Sequence, residues 1–250
     1  MEPAEYEALA RVEATHPWFI ERRRLIEQLV RRHACRWPPE AVLDAGCGTG
    51  TNLLCWQAWR PKRLVGIDIE RAALCEARRR AAMATLLHAD LTRLPLRDGC
   101  FDVVISSDVI EHIECDAWVV RELARVLAPE GILVLTTPAY RLAYSYHDAH
   151  LHHVRRYDAG PLQGLFRAAA LRVVHWTRFN VLPMVPLWLY RRFVRGAQAS
   201  DVGRPLAVPM ARVLGRIWAT ERRLAARLAL PVGMTHVVVA RRSRRAQGGC

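Results

Sequence analysis

Two kinds of residue in this 250-residue chain could do chemistry: carboxylates that end short apolar runs, and histidines that follow them. Asp44 closes the run Val42-Leu43 and opens a turn in which Gly46, Gly48 and Gly50 alternate with Cys47 and Thr49. Glycine there lets the backbone take positive φ and lets a ligand approach the main chain. The spacing sorts the candidate ligands. A dinucleotide fingerprint starting at Gly46 needs glycine where Thr51 stands, and a phosphate-cradling loop needs Gly-Lys-Ser/Thr, whereas the only lysine is Lys62. The turn therefore suits an adenosyl ligand that lacks a pyrophosphate. Asp68 ends the next apolar run, where a carboxylate can accept hydrogen bonds from both ribose hydroxyls. Capping a helix from Glu70 to Arg80 is its other open role. Among the histidines, His112 has an imidazole whose ordinary pKa of about 6.5 suits proton removal near neutrality. Its alternative is to orient, with Glu111, a helix from Asp116 to Leu127. His147, His150, His152 and His153 are clustered at spacings that can share a metal. No cysteine lies near them and only Asp148 adds a carboxylate, so no metal is expected.

The elements that must position these groups can be read from periodicity. Ala41–Leu43, Arg63–Asp68, Thr85–His88, Phe101–Ser106 and Ile132–Thr136 read as parallel strands with helices between them. Arg172–Thr177 is a sixth strand, and Thr235–Ala240 closes the sheet as an antiparallel seventh. Residues 4–13 and 17–34 have helical spacing, with Pro17 in a first turn and Trp37-Pro38-Pro39 as the stop. The expectation is an α/β fold: a Rossmann-like, doubly wound, seven-stranded sheet with a reversed last strand, plus helical N-terminal and C-terminal insertions. Ligands of such a sheet bind at the carboxyl ends of its strands. By segment, residues 1–40 form a helical unit, 41–240 the sheet domain with a helical insertion at 181–230, and 241–250 a basic disordered tail.

With these residues in series, Asp44 to Gly50 resembles motif I of the class I S-adenosylmethionine-dependent methyltransferases. The stretch from 41 to 137 is similar to the remaining motifs in order, including the Phe101-Asp102-Val103-Val104 strand. His153-Val154-Arg155-Arg156-Tyr157 resembles a segment of the methyltransferase type 11 group, and the loop is similar to that of ubiquinone-biosynthesis O-methyltransferases. The resemblance implies S-adenosyl-L-methionine as cofactor, held by Asp44, Gly46, Gly48, Gly50, Asp68, Ile69, Asp90, Leu91 and Asp108. Asp90 would meet the adenine amino group and the Leu91 backbone would frame the ring. Asp108 and His112 would flank the methionine end. The catalytic candidates are His112 and His153, and the acceptor contacts Tyr146, His150, Arg155 and Tyr157. Helix capping and an ion pair to Asp158 are the bland roles of His153 and Arg155. Residues 1–40 become a lid, or a helix that merely packs on the sheet. The implied reaction is methyl transfer to a small lipophilic acceptor, most simply at oxygen. The rivals are an RNA methyltransferase and a non-catalytic, cofactor-binding partner protein.

Charge bears on partners. The formal charge is +13, and residues 181–250 hold thirteen arginines against Asp201 and Glu221. Because 36 of the 37 basic residues are arginine, a GC-rich coding genome explains the preference over lysine. Val208 to Leu228 reads as a helix with Met210, Val213, Leu214, Ile217, Leu224 and Leu228 on one side and a stripe of Arg212, Arg216, Arg223 and Arg227 opposite. With Trp188, Trp218 and the run Val181–Tyr190 it is similar to a membrane-surface element; ordinary packing on the sheet is the alternative. The partners expected are a lipid or isoprenoid acceptor and an anionic membrane surface, not nucleic acid, since the Asn/Asp-Pro-Pro-Tyr/Phe motif of base methylation is replaced by Ser106-Ser107-Asp108. Seven scattered cysteines without a C-x-x-C pair and an acidic, leaderless N-terminus suggest a cytoplasmic protein, placed at the inner face of the membrane. No apolar run reaches the roughly 20 residues of a membrane span.

Overall fold

The computed structural model describes residues 3–181 and 208–242. Five strands run parallel: β1 (Ala41–Ala45), β2 (Arg63–Asp68), β3 (Thr85–His88), β4 (Phe101–Ser107) and β5 (Leu127–Pro138); helices link β1 to β2, β2 to β3 and β4 to β5, but β3 passes to β4 through a loop and not the expected helix. With β6 (Leu171–Phe179) and β7 (Thr235–Arg242) they form one sheet in the order β3-β2-β1-β4-β5-β7-β6. The expected doubly wound sheet is present, with one correction. β7 does not close the sheet at its edge; it runs antiparallel between β5 and β6, leaving β6 outermost. The strand order reverses between β1 and β4, and the crevice outside that point is where such sheets bind ligands.

The central strands are buried on both faces, so they read as near-continuous apolar runs. β4 shows the period of two: Val104 packs with Val119, Val120 and Leu123 of α5 (Asp116–Val126) and Leu162 and Phe166 of α7 (Ala159–Ala168). Val103 and Ile105 face the opposite layer. There they meet Leu25, Ile26, Leu29 and Val30 of α2 (Pro17–His33), Leu53 and Trp56 of α3 (Thr51–Gln57), and Trp218 and Ala225 of α8 (Val208–Ala225). Thus α2 packs on the sheet as part of the core. The preceding α1 (Pro3–Thr15) instead reaches the glycine turn, where the Glu13 carboxylate accepts from the hydroxyls of Thr49 and Thr51. Asp102 accepts from the N–H groups of Glu40 and Ala41 and fixes the entry to β1.

A buried histidine makes this sheet acid-sensitive. Trp176 Nε1–H donates to His236 Nδ1 (3.1 Å), and His236 Nε2–H donates to the Tyr157 carbonyl (3.1 Å). Only the neutral ring satisfies both bonds. Burial accordingly pushes the His236 pKa down to about 4. A folded pKa below the unfolded value of about 6.5 means that the unfolded chain binds more protons, so stability is lost as pH falls from 6.5 towards 4. The expected loss is about 3 kcal/mol, measurable by urea unfolding at both pH values. An equal slope in His236→Gln would contradict this origin.

The segment 182–207, including Trp188, and the tail 243–250 lie outside the described residues.

Candidate active site

Strand β1 delivers Asp44 fully buried into the crevice, and the chain turns at once through Gly46, Gly48 and Gly50, all at positive φ. At Gly46 a side chain would stand 2.4 Å from Val109 Cγ2, whereas at Gly48 the space is open to 4 Å. The turn is thus held against its own fold on one side and accessible to a ligand at Gly48. Asp68 secures it: Gly48 N–H donates to Oδ2 (2.7 Å) and Glu70 N–H to Oδ1 (2.9 Å). The cap of α4 (Arg71–Arg80) is Glu70, so Asp68 is not the helix cap; it ties the turn to the end of β2. A carboxylate offers about four lone-pair sites, so two remain for hydroxyl donors.

Ile69 beside it is 60% exposed, an apolar surface fit for a ring, with its carbonyl accepting from His88 Nε2–H. Asp90 is exposed in a turn where its Oδ1 accepts from Thr92 N–H. Leu91 is a core residue and has only its backbone to offer.

At the methionine side lies a residue that the sequence did not reveal. Arg22 of α2 is buried and pairs with Asp108, whose other oxygen accepts from Thr136 Oγ1 (2.9 Å). Asp108 sits at φ 54 directly after β4, a left-handed conformation costly for a residue with a Cβ and typical of functional turns. Arg22 had no local signal because 86 positions separate it from its partner.

Asp44 Oδ2 has no hydrogen-bond partner, and Oδ1 has only a long contact from Asn52 (3.4 Å). Burial, helped by the Asp68 charge, pushes its pKa up to about 8. An unpartnered buried carboxyl beside a glycine turn fits the ammonium of a methionine moiety, and the Asp68 carboxylate fits a ribose. The residues present therefore suit S-adenosylmethionine. Binding a cation beside Asp44 lowers its pKa, so below pH 8 the protein must release a proton on binding. Affinity is expected to rise with pH up to about 8, approaching tenfold per unit. Calorimetry in buffers of different ionisation enthalpy reads that proton, and Asp44→Asn should abolish it.

The residues expected to meet the acceptor come from two distant segments. Ile110–His112 form one turn of 3-10 helix after β4, and the cap of α5 is Cys115, so Glu111 and His112 do not cap that helix. His112 stands edge-to-face with His153, ring centroids 4.7 Å apart. Burial first, and His153 second, lower the His112 pKa, so the ring is neutral at pH 7. His153 Nδ1–H donates to Asp148 Oδ1 (2.9 Å), leaving the Nε2 lone pair free to accept a proton.

Asp148 is a buried hub. It also accepts from Arg156 Nε–H (2.7 Å) and from Ser145 N–H and Oγ–H. Burial opposes its charge, but the bonds from His153 and Arg156 prevail and hold its carboxyl well below the usual range. Ser145 and Asp148 form the capping box of α6 (Tyr146–His150), and that Ser-x-x-Asp spacing was the sequence signal for Asp148.

Glu111 is fully buried: Oε2 accepts from Thr137 Oγ1 (3.0 Å), Oε1 has no partner, and burial raises its pKa well above the ordinary value. Glu111, His112 and His153 each bring one potential metal-ligand atom within 4.8 Å of the others, the donor set that could hold a cation among the described residues.

Other expected contacts lie elsewhere. Arg155 pairs with Asp116 (2.9 Å), not Asp158, and Tyr157 Oη–H donates to the same Asp116 carboxylate (2.7 Å). Both are spent on pinning α5. Tyr146 and His150 are exposed on α6.

Comparison with known proteins places this geometry. Residues 43–135 match the family profile described as a methyltransferase domain. A protein of Mycolicibacterium smegmatis named a probable S-adenosylmethionine-dependent methyltransferase is 34% identical over 161 residues, 62% of this chain and 60% of its own length. A malonyl-[acyl-carrier protein] O-methyltransferase of Serratia marcescens is 36% identical over 102 residues, 41% of this chain and 40% of its own. The chain thus spans less than two thirds of the length of either relative. Among solved structures, the geranyl diphosphate C-methyltransferase of Streptomyces coelicolor superposes with TM-score 0.58 at 14% identity, covering 86% of this chain and 76% of that one. A SAM dependent methyltransferase of Archaeoglobus fulgidus gives TM-score 0.55 at 17% identity, covering 88% and 94%. These two share the fold. Taken with the glycine turn, the Asp68 tie and the unpartnered Asp44, residues 43–135 are similar to the methyltransferase domain of S-adenosylmethionine-dependent methyltransferases.

Proposed function

We propose that the protein transfers the methyl group of S-adenosylmethionine to a hydroxyl oxygen of a small, lipophilic acceptor. The observation that carries the oxygen assignment is the His112 and His153 pair, one ring neutral by burial and the other oriented by Asp148, at the carboxyl end of the sheet. The cofactor supplies an activated methyl on a sulfonium. Asp44 would hold its ammonium, Asp68 its ribose, and Ile69 with the Asp90-Leu91 backbone its adenine; Arg22 would turn from Asp108 to its carboxylate. The chain's remaining task is alignment and proton removal. The S–CH3 bond breaks with its electron pair staying on sulfur, the O–CH3 bond forms, and the hydroxyl proton passes to an imidazole of the pair.

Lipophilicity of the acceptor is supported by the rim. Leu142 is 99% exposed, and Tyr144, Tyr146 and Val154 are exposed on the segment that carries His153. The Serratia relative is by name an O-methyltransferase, which favours oxygen over nitrogen or carbon. The experiment is a transfer assay with radiolabelled methyl donor against prenylated phenols, with the matching anilines as controls. Turnover of the phenols alone supports the reading; labelling of the anilines or of RNA instead would replace it.

A further inference from the structure

Helix α8 uses only part of its apolar stripe for packing: Leu214 lies against the core, whereas most of the stripe stays outside it. Trp218, Glu221, Arg222 and Ala225 turn inward: Trp218 Nε1–H donates to Asn180 Oδ1 (3.1 Å) and Arg222 Nε–H to Glu21 Oε2 of α2 (2.6 Å). Trp218 is therefore a core residue and not an interfacial anchor. A second face carries Arg212, Arg216 and Arg223, continued by Arg227 in the turn after the helix, all exposed. Between these two lies a third, with Met210, Val213 and Leu224 exposed by 53%, 56% and 47%, continued past the helix end by Leu228, exposed by 54%. Ile217 and Leu224 run on into an apolar groove of about 470 Å³ completed by Val181, Leu230, Pro231 and Val232.

An apolar row of this kind on an outer surface marks a contact site, and the flanking charge selects the partner. Guanidinium groups beside aliphatic side chains in one plane match the two layers of an anionic bilayer surface: phosphates for the arginines, the headgroup and acyl boundary for the leucines. The single acid of α8, Glu221, is buried and accepts from Val181 N–H (2.8 Å), so no carboxylate of this helix offsets the stripe. No helix among the described residues is long and apolar enough to cross a membrane. We propose that the outer faces of α8 form a docking surface for an anionic phospholipid bilayer, with the helix lying in the plane of the interface.

The test is co-sedimentation of the whole chain with vesicles of equimolar phosphatidylglycerol and phosphatidylcholine, and with phosphatidylcholine alone, across a salt series. Binding is expected to the anionic vesicles at low salt and to fade as salt rises. The double variant Leu224→Ser/Leu228→Ser should lower the partition coefficient about tenfold, and each of Arg216→Gln and Arg223→Gln about fivefold. Melting followed by circular dichroism checks the fold, which these exposed positions should leave intact. Three results overturn the proposal: no binding to anionic vesicles at low salt, equal binding by native and α8 variants, or a dimer seen by light scattering that the leucine variant dissolves without changing vesicle binding.

Discussion

Asp68→Ala is expected to bind S-adenosylmethionine about ten- to a hundredfold more weakly than the native protein, measured by calorimetry at one pH. Hydrogen bonds to a charged group contribute roughly 1.5–3 kcal/mol, and the substitution removes the two acceptors proposed for the ribose. It also releases Gly48 and Glu70, whose N–H groups converge on this carboxylate in the absence of ligand. Burial raises the Asp68 pKa against those bonds. Losing the two bonds and relieving the buried charge oppose each other, so the melting temperature should change less than the affinity. Asp68→Asn keeps the shape and one carbonyl acceptor and should fall between. Unchanged affinity in the alanine variant would remove the ribose from this position and with it the assignment of the crevice.

The second large effect belongs to His153. His153→Ala should reduce kcat by about a hundredfold or more, the usual range for a lost general base being 10²–10⁴, with cofactor affinity preserved because no residue of the glycine turn is touched. The fold should hold, since Asp148 keeps its bonds to Arg156 and Ser145. The pH profile separates a chemical role from a structural one. In the native protein a base must be neutral to act. The His112 pKa lies below its ordinary value, so kcat at saturating cofactor should be flat above about pH 6.5 and fall only on further acidification. Part of that depression comes from His153. Its removal should move the acidic limb of the residual activity upward, towards 6.5. A loss of kcat with the limb unmoved would assign His153 to positioning alone.

The amino-acid sequence by itself determined the sheet and its cofactor edge. Apolar runs buried on both faces cannot hide their periodicity, and a glycine turn after a strand is a local device whose residues are neighbours in the chain. Asp44, Gly46, Gly48, Gly50 and Asp68 were legible for that reason. Sequence periodicity also found α8 and its outer stripes, but not the face that turns inward: the core takes Trp218, Arg222 and Ala225, because Glu21 of α2 neutralises the arginine and permits its burial. Which side of an amphipathic helix turns inward depends on what the opposing helix offers.

The acceptor side was decided only by the tertiary structure. Four histidines between 147 and 153 suggested a cluster among themselves, yet His153 meets His112 and Glu111 from the end of β4. Asp148, expected only as a spare carboxylate, is the group that orients the His153 ring. Arg155 and Tyr157 go to Asp116, and Arg22 crosses from the N-terminal helix to Asp108. Asp148 and His153 are five positions apart, but the other pairings join groups far apart in the chain, brought together because neighbouring strands of a parallel sheet end on the same side and α2 packs beside them. Local spacing records what a turn or a helix needs; it holds no trace of which loops the sheet sets beside one another.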